Sequence, residues 1–155
     1  MSSDTHGGVD PAQLLSAVGD AICVTDGAGA IIHWNAGAER MFGFTAAEAI
    51  GQSMDIFIPE RLRKRHWDGY HETMRTGHTK YGSDVLRVPA IDKAGRSLSI
   101  AFTVAMINDA AGHPQAVVAV IRDETARFQE ERRQKARIAE LEAALLAAQG
   151  PQAKP

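Results

Sequence analysis

Between positions 96 and 107 the chain alternates: Leu98, Ile100, Phe102, Val104 and Met106 fall on one face, Ser97, Ser99, Ala101, Thr103 and Ala105 on the other. A period of two sends successive side chains to opposite sides of a strand, so the first set marks a core face. Runs at 81–91 and 115–122 flank it across the turn sequences DKAG and NDAAGHP and predict a three-strand meander. In the first of these runs Leu86 and Val88 share the apolar face, so both are expected to point inward and Arg87 outward. The last run, AVVAVI, is apolar on both faces and calls for cover on its outer side by a helix or a second subunit. Upstream, AICVTD and IIHWN flank GAGA and predict a hairpin, preceded by a short helix from Pro11 through Leu14, Leu15 and Val18.

Helical signals fill the middle of the chain. Asn35 is placed to cap AGAERMF, and Thr45 with Glu48 three residues on forms a capping box for a second short helix. A longer helix is predicted from about Glu60 to Arg75, after Ile58-Pro59, with its stop at Thr76-Gly77. Spacing by four puts Leu62, His66, Tyr70 and Met74 on one stripe of that helix, and Gly69 is expected on the same face. From Glu124 to Gln149 the sequence is rich in Ala, Glu, Arg, Gln and Leu, without Gly or Pro, and predicts one long helix. Ile138, Leu141 and Leu145 follow coiled-coil spacing with Phe128 in phase, a narrow stripe that needs a partner helix. The expected class is α+β: a five-stranded antiparallel sheet with helices on one face, over residues 10–123, then a coiled-coil helix at 124–149. Polar, Gly-rich residues 1–9 and the tail 150–155 are expected to be disordered.

Composition narrows the function. With 155 residues, 45% of them apolar, the chain suffices for one globular domain and an appendage. Lys and Arg total 17 against 19 Asp and Glu, which leaves no electrostatic footprint for nucleic acid or an anionic membrane. A single cysteine, Cys23, lies in an apolar run and is expected to be a buried, inert thiol. With neither a leader-like start nor a membrane-length apolar segment, a cytoplasmic location is expected. No nucleophile with its base, phosphate-cradling loop or kinase, cyclase or phosphodiesterase motif is present, so catalysis is not expected. His33, His71 and His113 lack zinc-like spacing.

The segment IIHWNAGAERMFGFTAAEAIGQ resembles the signature of PAS domains, DKAGRSLSIAFTVAMI their turn and long strand, and IRDETARF the D-x-T that ends the domain and launches a signalling helix. The three blocks span roughly residues 10–127 in the family's order. This resemblance implies a sensory module that relays the state of a cavity through the last strand into the following helix, as a homodimer joined by that helix and the outer sheet face. Output would pass to a separate signalling protein or through sequence beyond this chain.

IPERLRKRHWDGYHETMRTGH resembles the helix of haem-binding PAS sensors of the FixL type and of direct oxygen-sensing phosphodiesterases. That resemblance implies haem b with His66 as axial iron ligand, Arg63 and Tyr70 completing the motif, and His78 near a propionate. Gly69 would admit the flat macrocycle; Leu62, Met74, Leu86, Val88, Ile100 and Phe102 would line the cavity. The relatives place an Arg donor on the first long strand, where Leu86 is expected to face inward here. Dioxygen would then lose a hydrogen bond, leaving carbon monoxide, nitric oxide, or a donor such as Trp67 or Tyr81 open as alternatives. A flavin, FAD or FMN, is not expected: the reactive-cysteine segment of light-sensing relatives is absent, and Trp34-Asn35 is a structural hallmark of the wider family. The alternative function is a haem-free adaptor for dimerisation or protein docking, with an empty or metabolite-filled cavity.

Overall fold

The computed structural model describes residues 6–151 and contains two compact units, Met1–Asp123 and Glu124–Pro155. The disorder expected for residues 1–5 and 152–155 concerns residues outside those described. A 3-10 turn at His6–Gly8 leads to α1 (Pro11–Ala17), where Asp10 caps the Ala12 amide. Pro11 takes the first helical position, where a missing N–H costs nothing.

Strands β1 (Ala21–Asp26) and β2 (Ile31–Trp34) form the expected hairpin. Its turn is built by Asp26, whose Oδ1 accepts from the amides of Ala28 (2.9 Å) and Ala30 (3.0 Å). Helices α2 (Ala36–Phe42) and α3 (Ala46–Ala49) follow, the second starting with the full Thr45–Glu48 capping box. A 3-10 turn at Met54–Ile56 precedes α4 (Glu60–Thr76). Strands β3 (Leu86–Ile91), β4 (Ser97–Asn108) and β5 (Pro114–Asp123) complete a five-stranded antiparallel sheet in the order β2-β1-β5-β4-β3. The strand expected from residue 81 begins only at Leu86. Gly82, at φ +55°, and a turn closed by Asp84 N–H on the Tyr81 carbonyl (2.8 Å) occupy the intervening residues.

The core lies on one side of this sheet. Ala21, Cys23, Ile31, Trp34, Ile100, Val117 and Ile121 face it, together with Phe42 of α2 and Phe57. Trp34, Phe42 and Phe57 stack with centroids 5.0–5.9 Å apart, and Trp34 Nε1 donates to the Phe44 carbonyl. Asn35, 4% exposed, joins α1, β1, α2 and the turn before β1. Its Oδ1 accepts from Ile22 N and Ala38 N, and its Nδ2 donates to the carbonyls of Leu15 and Asp20. The Trp-Asn pair is thus consumed by packing and capping. By register, the other sheet face carries Ile22, Val24, Ala105, Ala116, Val118 and Val120.

Both edges of the sheet are blunted. Along β2, Ile31 pairs with the segment after α3, through its N–H to the Gln52 carbonyl and its carbonyl from Gly51 N–H. Edge strand β3 is six residues long and carries Pro89, which has no N–H.

The second unit is α5 (Thr125–Gln149), with no buried residue. Phe128, Ile138, Leu141, Leu145 and Leu146 are exposed on it. Ion pairs at three- and four-residue spacing, among them Arg127–Glu131, Glu130–Arg133 and Arg137–Glu140, lace its polar surface.

Candidate functional site

Helix α4 carries the side chains on which the site turns. It stops at Gly77, whose φ of +73° admits a left-handed cap, with the Gly77 N–H on the Thr73 carbonyl. Its start has no side-chain cap at Pro59; instead Arg63 reaches back, Nε to the Ile58 carbonyl (3.1 Å) and Nη2 to that of Asp55 (3.2 Å). Arg63 therefore braces the entry to the helix.

Three side chains seat α4 on the β1–β2 hairpin. Tyr70, 8% exposed, donates its hydroxyl to the Asp26 carbonyl and lies 3.0 Å from Thr25 Oγ1. Burial above all raises the Tyr70 pKa, so the phenol keeps its proton at neutral pH. With that proton given to Asp26, the Thr25 hydroxyl is the donor in the second bond. Trp67 packs over the hairpin turn, its Nε1 donating to Asp55 Oδ1 at 2.8 Å. Met74 follows, its Cε 3.5 Å from where a Cβ on Gly27 would stand.

His66 sits at the border of this seat. Its ring lies 4.8 Å from that of Trp67, edge to face, and 5.9 Å from that of Tyr70. Nδ1 is buried and has no hydrogen-bond partner among the described residues. Desolvation holds the His66 pKa below its ordinary value of 6.5; the neighbouring His71 adds to this and Asp55 works against it. The imidazole is consequently neutral at pH 7, with a lone pair to offer.

The strands supply an apolar wall. Leu86 pairs with Phe102 and Val88 with Ile100 in the β3–β4 register, so the four side chains share the inward face, and Arg87, opposite Ala101, is on the other. Ile100 is 4% exposed, but Val88 remains 39% exposed, and Leu86, Phe102, Val104 and Met106 are half-buried although they face inward. Inward-facing apolar side chains that keep this much exposure leave this part of the sheet face incompletely covered.

Two expected lining residues lie elsewhere. Gly69 is exposed, with nothing within 4 Å of a Cβ built there. At about 100° per residue, Trp67 and Gly69 flank the stripe of Leu62, His66, Tyr70 and Met74 equally, so spacing does not choose between them. The indole has apolar area to bury and a glycine has none, and the helix is rolled toward Trp67. His78 is exposed beyond the helix end, and Arg75 pairs with Glu72 (2.6 Å) rather than turning toward it. Trp67 N–H is committed to Asp55, and Tyr81 is exposed in the turn before β3. Neither supplies a free donor to the strand wall. Sequence reasoning missed Thr25, Asp26, Gly29 and Asp55; each meets α4 from outside the helix and carries no local signal.

Elsewhere in the unit, Cys23 is 1% exposed and burial pushes its thiol up to about 12. No group of three or more His, Cys, Asp or Glu among the described residues is placed to hold a metal ion. No helix among them is long and apolar enough to cross a membrane.

A family model described as PAS fold matches residues 10–123. The chain belongs to the PAS family. Sensor protein FixL of Bradyrhizobium diazoefficiens is 44% identical over 64 residues, 41% of this chain and 12% of that protein. An uncharacterized protein of Azorhizobium caulinodans is 33% identical over 106 residues, covering 66% of this chain and 14% of its own length. The PAS chain thus spans about an eighth of the length of the curated relatives it matches. Among solved structures, the PAS domain of a Colwellia psychrerythraea protein superposes with a TM-score of 0.66 at 24% identity, over 74% of this chain and 94% of that one. An RNA-binding light-oxygen-voltage receptor reaches the same TM-score at 16% identity, over 90% of this chain and 40% of its own. At those identities the likeness is one of fold.

Proposed function

We propose that this PAS unit is a haem-based gas or redox sensor, with His66 as the axial ligand and the β3–β4 wall as the apolar side of the pocket. The observation that carries the reading is the His66 ring itself. A buried polar atom without a partner costs about 1–3 kcal/mol, and Nδ1 of a neutral imidazole bears that cost here beside the rings of Trp67 and Tyr70. A ring so placed, with neither nitrogen in a described hydrogen bond, fits a metal-ligating role. Leu62 lies half-buried one turn before His66, while Leu86, Val88, Ile100 and Phe102 would exclude water from the opposite side. Haem b, when bound, would supply an iron centre that takes a diatomic gas or changes oxidation state. The similarity to FixL over 64 residues agrees with this reading.

Signal output in this reading is not catalytic. Strand β5 ends at Asp123, directly before the α5 sequence, and the stripe of Phe128, Ile138, Leu141 and Leu145 would pair with the same helix of a second copy. The outer face of β1 and β5 would add to that homodimer, and the output would pass from α5 to a separate signalling protein or to a further segment of the same polypeptide. Flavin chemistry of the cysteinyl-adduct kind has no support, since Cys23 lies in β1 with its thiol at about 12.

A second reading, a haem-free adaptor that dimerises or docks a partner, is favoured by the firmness of the α4 seat. Trp67 and Tyr70 already spend their polar groups on Asp55 and the hairpin. Absorption spectra separate the two. Protein purified with haem available is expected to show a Soret band that shifts on reduction and on adding carbon monoxide, and His66→Ala is expected to abolish it. Absence of the band in the wild type, or its persistence in the variant, refutes the axial-ligand assignment.

A further inference from the structure

We infer that Tyr70 is a positioning residue that couples α4 to the strand pair β1–β5. The hydrogen bonds that tie α4 to the sheet among the described residues are those of Tyr70, to the Asp26 carbonyl and to Thr25 Oγ1. The other polar groups of the α4 seat go to the segment before the helix: Trp67 to Asp55, Arg63 to Asp55 and Ile58. The ring of Tyr70 lies beside both Trp67 (5.4 Å) and His66 (5.9 Å), so displacement of either is felt at its hydroxyl.

The two residues that receive Tyr70 are the last of β1, and both are paired with β5: Thr25 stands opposite Val117 and Asp26 opposite Ala116. From there the ladder runs without interruption to Ala21 opposite Ile121, two residues before β5 ends at Asp123. A shift of α4 therefore pulls on the end of β1 farthest from Asp123, and the β1–β5 ladder carries it toward that residue. The same Asp26 carbonyl also accepts from Gly29 N–H, so the hairpin turn on which Trp67 rests shares the joint. As the regulatory link of the proposed sensor, this coupling rests on α4 being the sensory wall. It is tested without ligand, so that a missing Soret band and an uncoupled strand are separate results.

The experiment is a double-mutant cycle on the full 155-residue chain, read by amide hydrogen exchange in β5 (residues 116–121) relative to α2 (residues 36–42) as internal control. Trp67→Phe loosens α4 by removing the indole N–H, and Tyr70→Phe removes the hydroxyl while keeping the ring. With Tyr70 present, Trp67→Phe is expected to raise β5 exchange over that of α2 about three- to tenfold, the loss of one hydrogen-bonded restraint. With Phe at position 70 that increment is expected to vanish, because β1 is already released. An equal increment in both backgrounds, or none when Tyr70 is present, overturns the inference. Should Trp67→Phe fail to fold, Asp55→Ala removes the acceptor of the same indole N–H and completes the cycle in its place.

Discussion

A Cβ on Gly29 would stand 2.1 Å from Cζ3 of Trp67: the indole of α4 occupies the volume that any other residue at this turn would fill with its own side chain. Gly29 also has φ +83°, so the hairpin needs the glycine for its backbone as well as for the space above it.

Gly29→Ala is accordingly expected to destabilise the unit by about 2–4 kcal/mol, combining left-handed strain with overpacking against a ring held by Asp55. Urea unfolding followed by tryptophan fluorescence reads the shift in midpoint. Gly19→Ala is the control: nothing lies within 4 Å of a Cβ there, and its stability is expected to move by less than about 0.5 kcal/mol. Equal effects from the two substitutions would contradict the seat assigned to Trp67.

Asn35→Ala is expected to cost about 3 kcal/mol or more. The substitution removes a helix cap at Ala38 and leaves Ile22 N–H, Leu15 C=O and Asp20 C=O without their partner in a largely buried site. Asn35→Asp keeps the acceptor for Ile22 and Ala38 but loses both donated bonds, and its midpoint in the same titration is expected between wild type and Asn35→Ala.

Acidification gives a third expectation. The His66 pKa is lowered in the folded chain, first by burial, so between that value and about 6.5 the unfolded chain binds the proton and the folded chain does not. Stability contributed by the neutral ring is complete above about 6.5 and falls as pH drops through that point toward the folded pKa. Urea midpoints measured from pH 7.5 down to 5.5, above the carboxylate range, are expected to decline in the wild type and to decline less in His66→Phe. Parallel curves would mean that the ring is hydrated in the folded state.

Much of the sheet and the caps at Asn35, Thr45 and Gly77 were legible because their causes are local. The alternation of residues 97–106 survives in the structure with Ile100 buried and Ala105 exposed, and the caps made by Asn35, Thr45 and Gly77 each reach no further than four residues. The register of β3 was legible too: Leu86 and Val88 share their face with Phe102 and Ile100. Residues 81–85, YGSDV, turn rather than extend, with Gly82 at positive φ. The rest of what escaped was decided at a distance. The roll of α4 is set by a glycine 38 positions earlier, which accepts Trp67 and leaves Gly69 outside. Tyr70 was read as part of a ligand motif, and its bond to Thr25, 45 residues away, has no counterpart in any local pattern.

One feature of the sheet bears on how copies of this chain can meet. With Ile31 engaged by the segment behind α3 and with Pro89 interrupting a six-residue β3, neither margin offers a continuous row of free backbone donors. Extension of the sheet by a neighbouring strand is disfavoured at both margins. In the proposed homodimer, recognition would then rest on the side chains of the sheet face and of α5 rather than on backbone pairing.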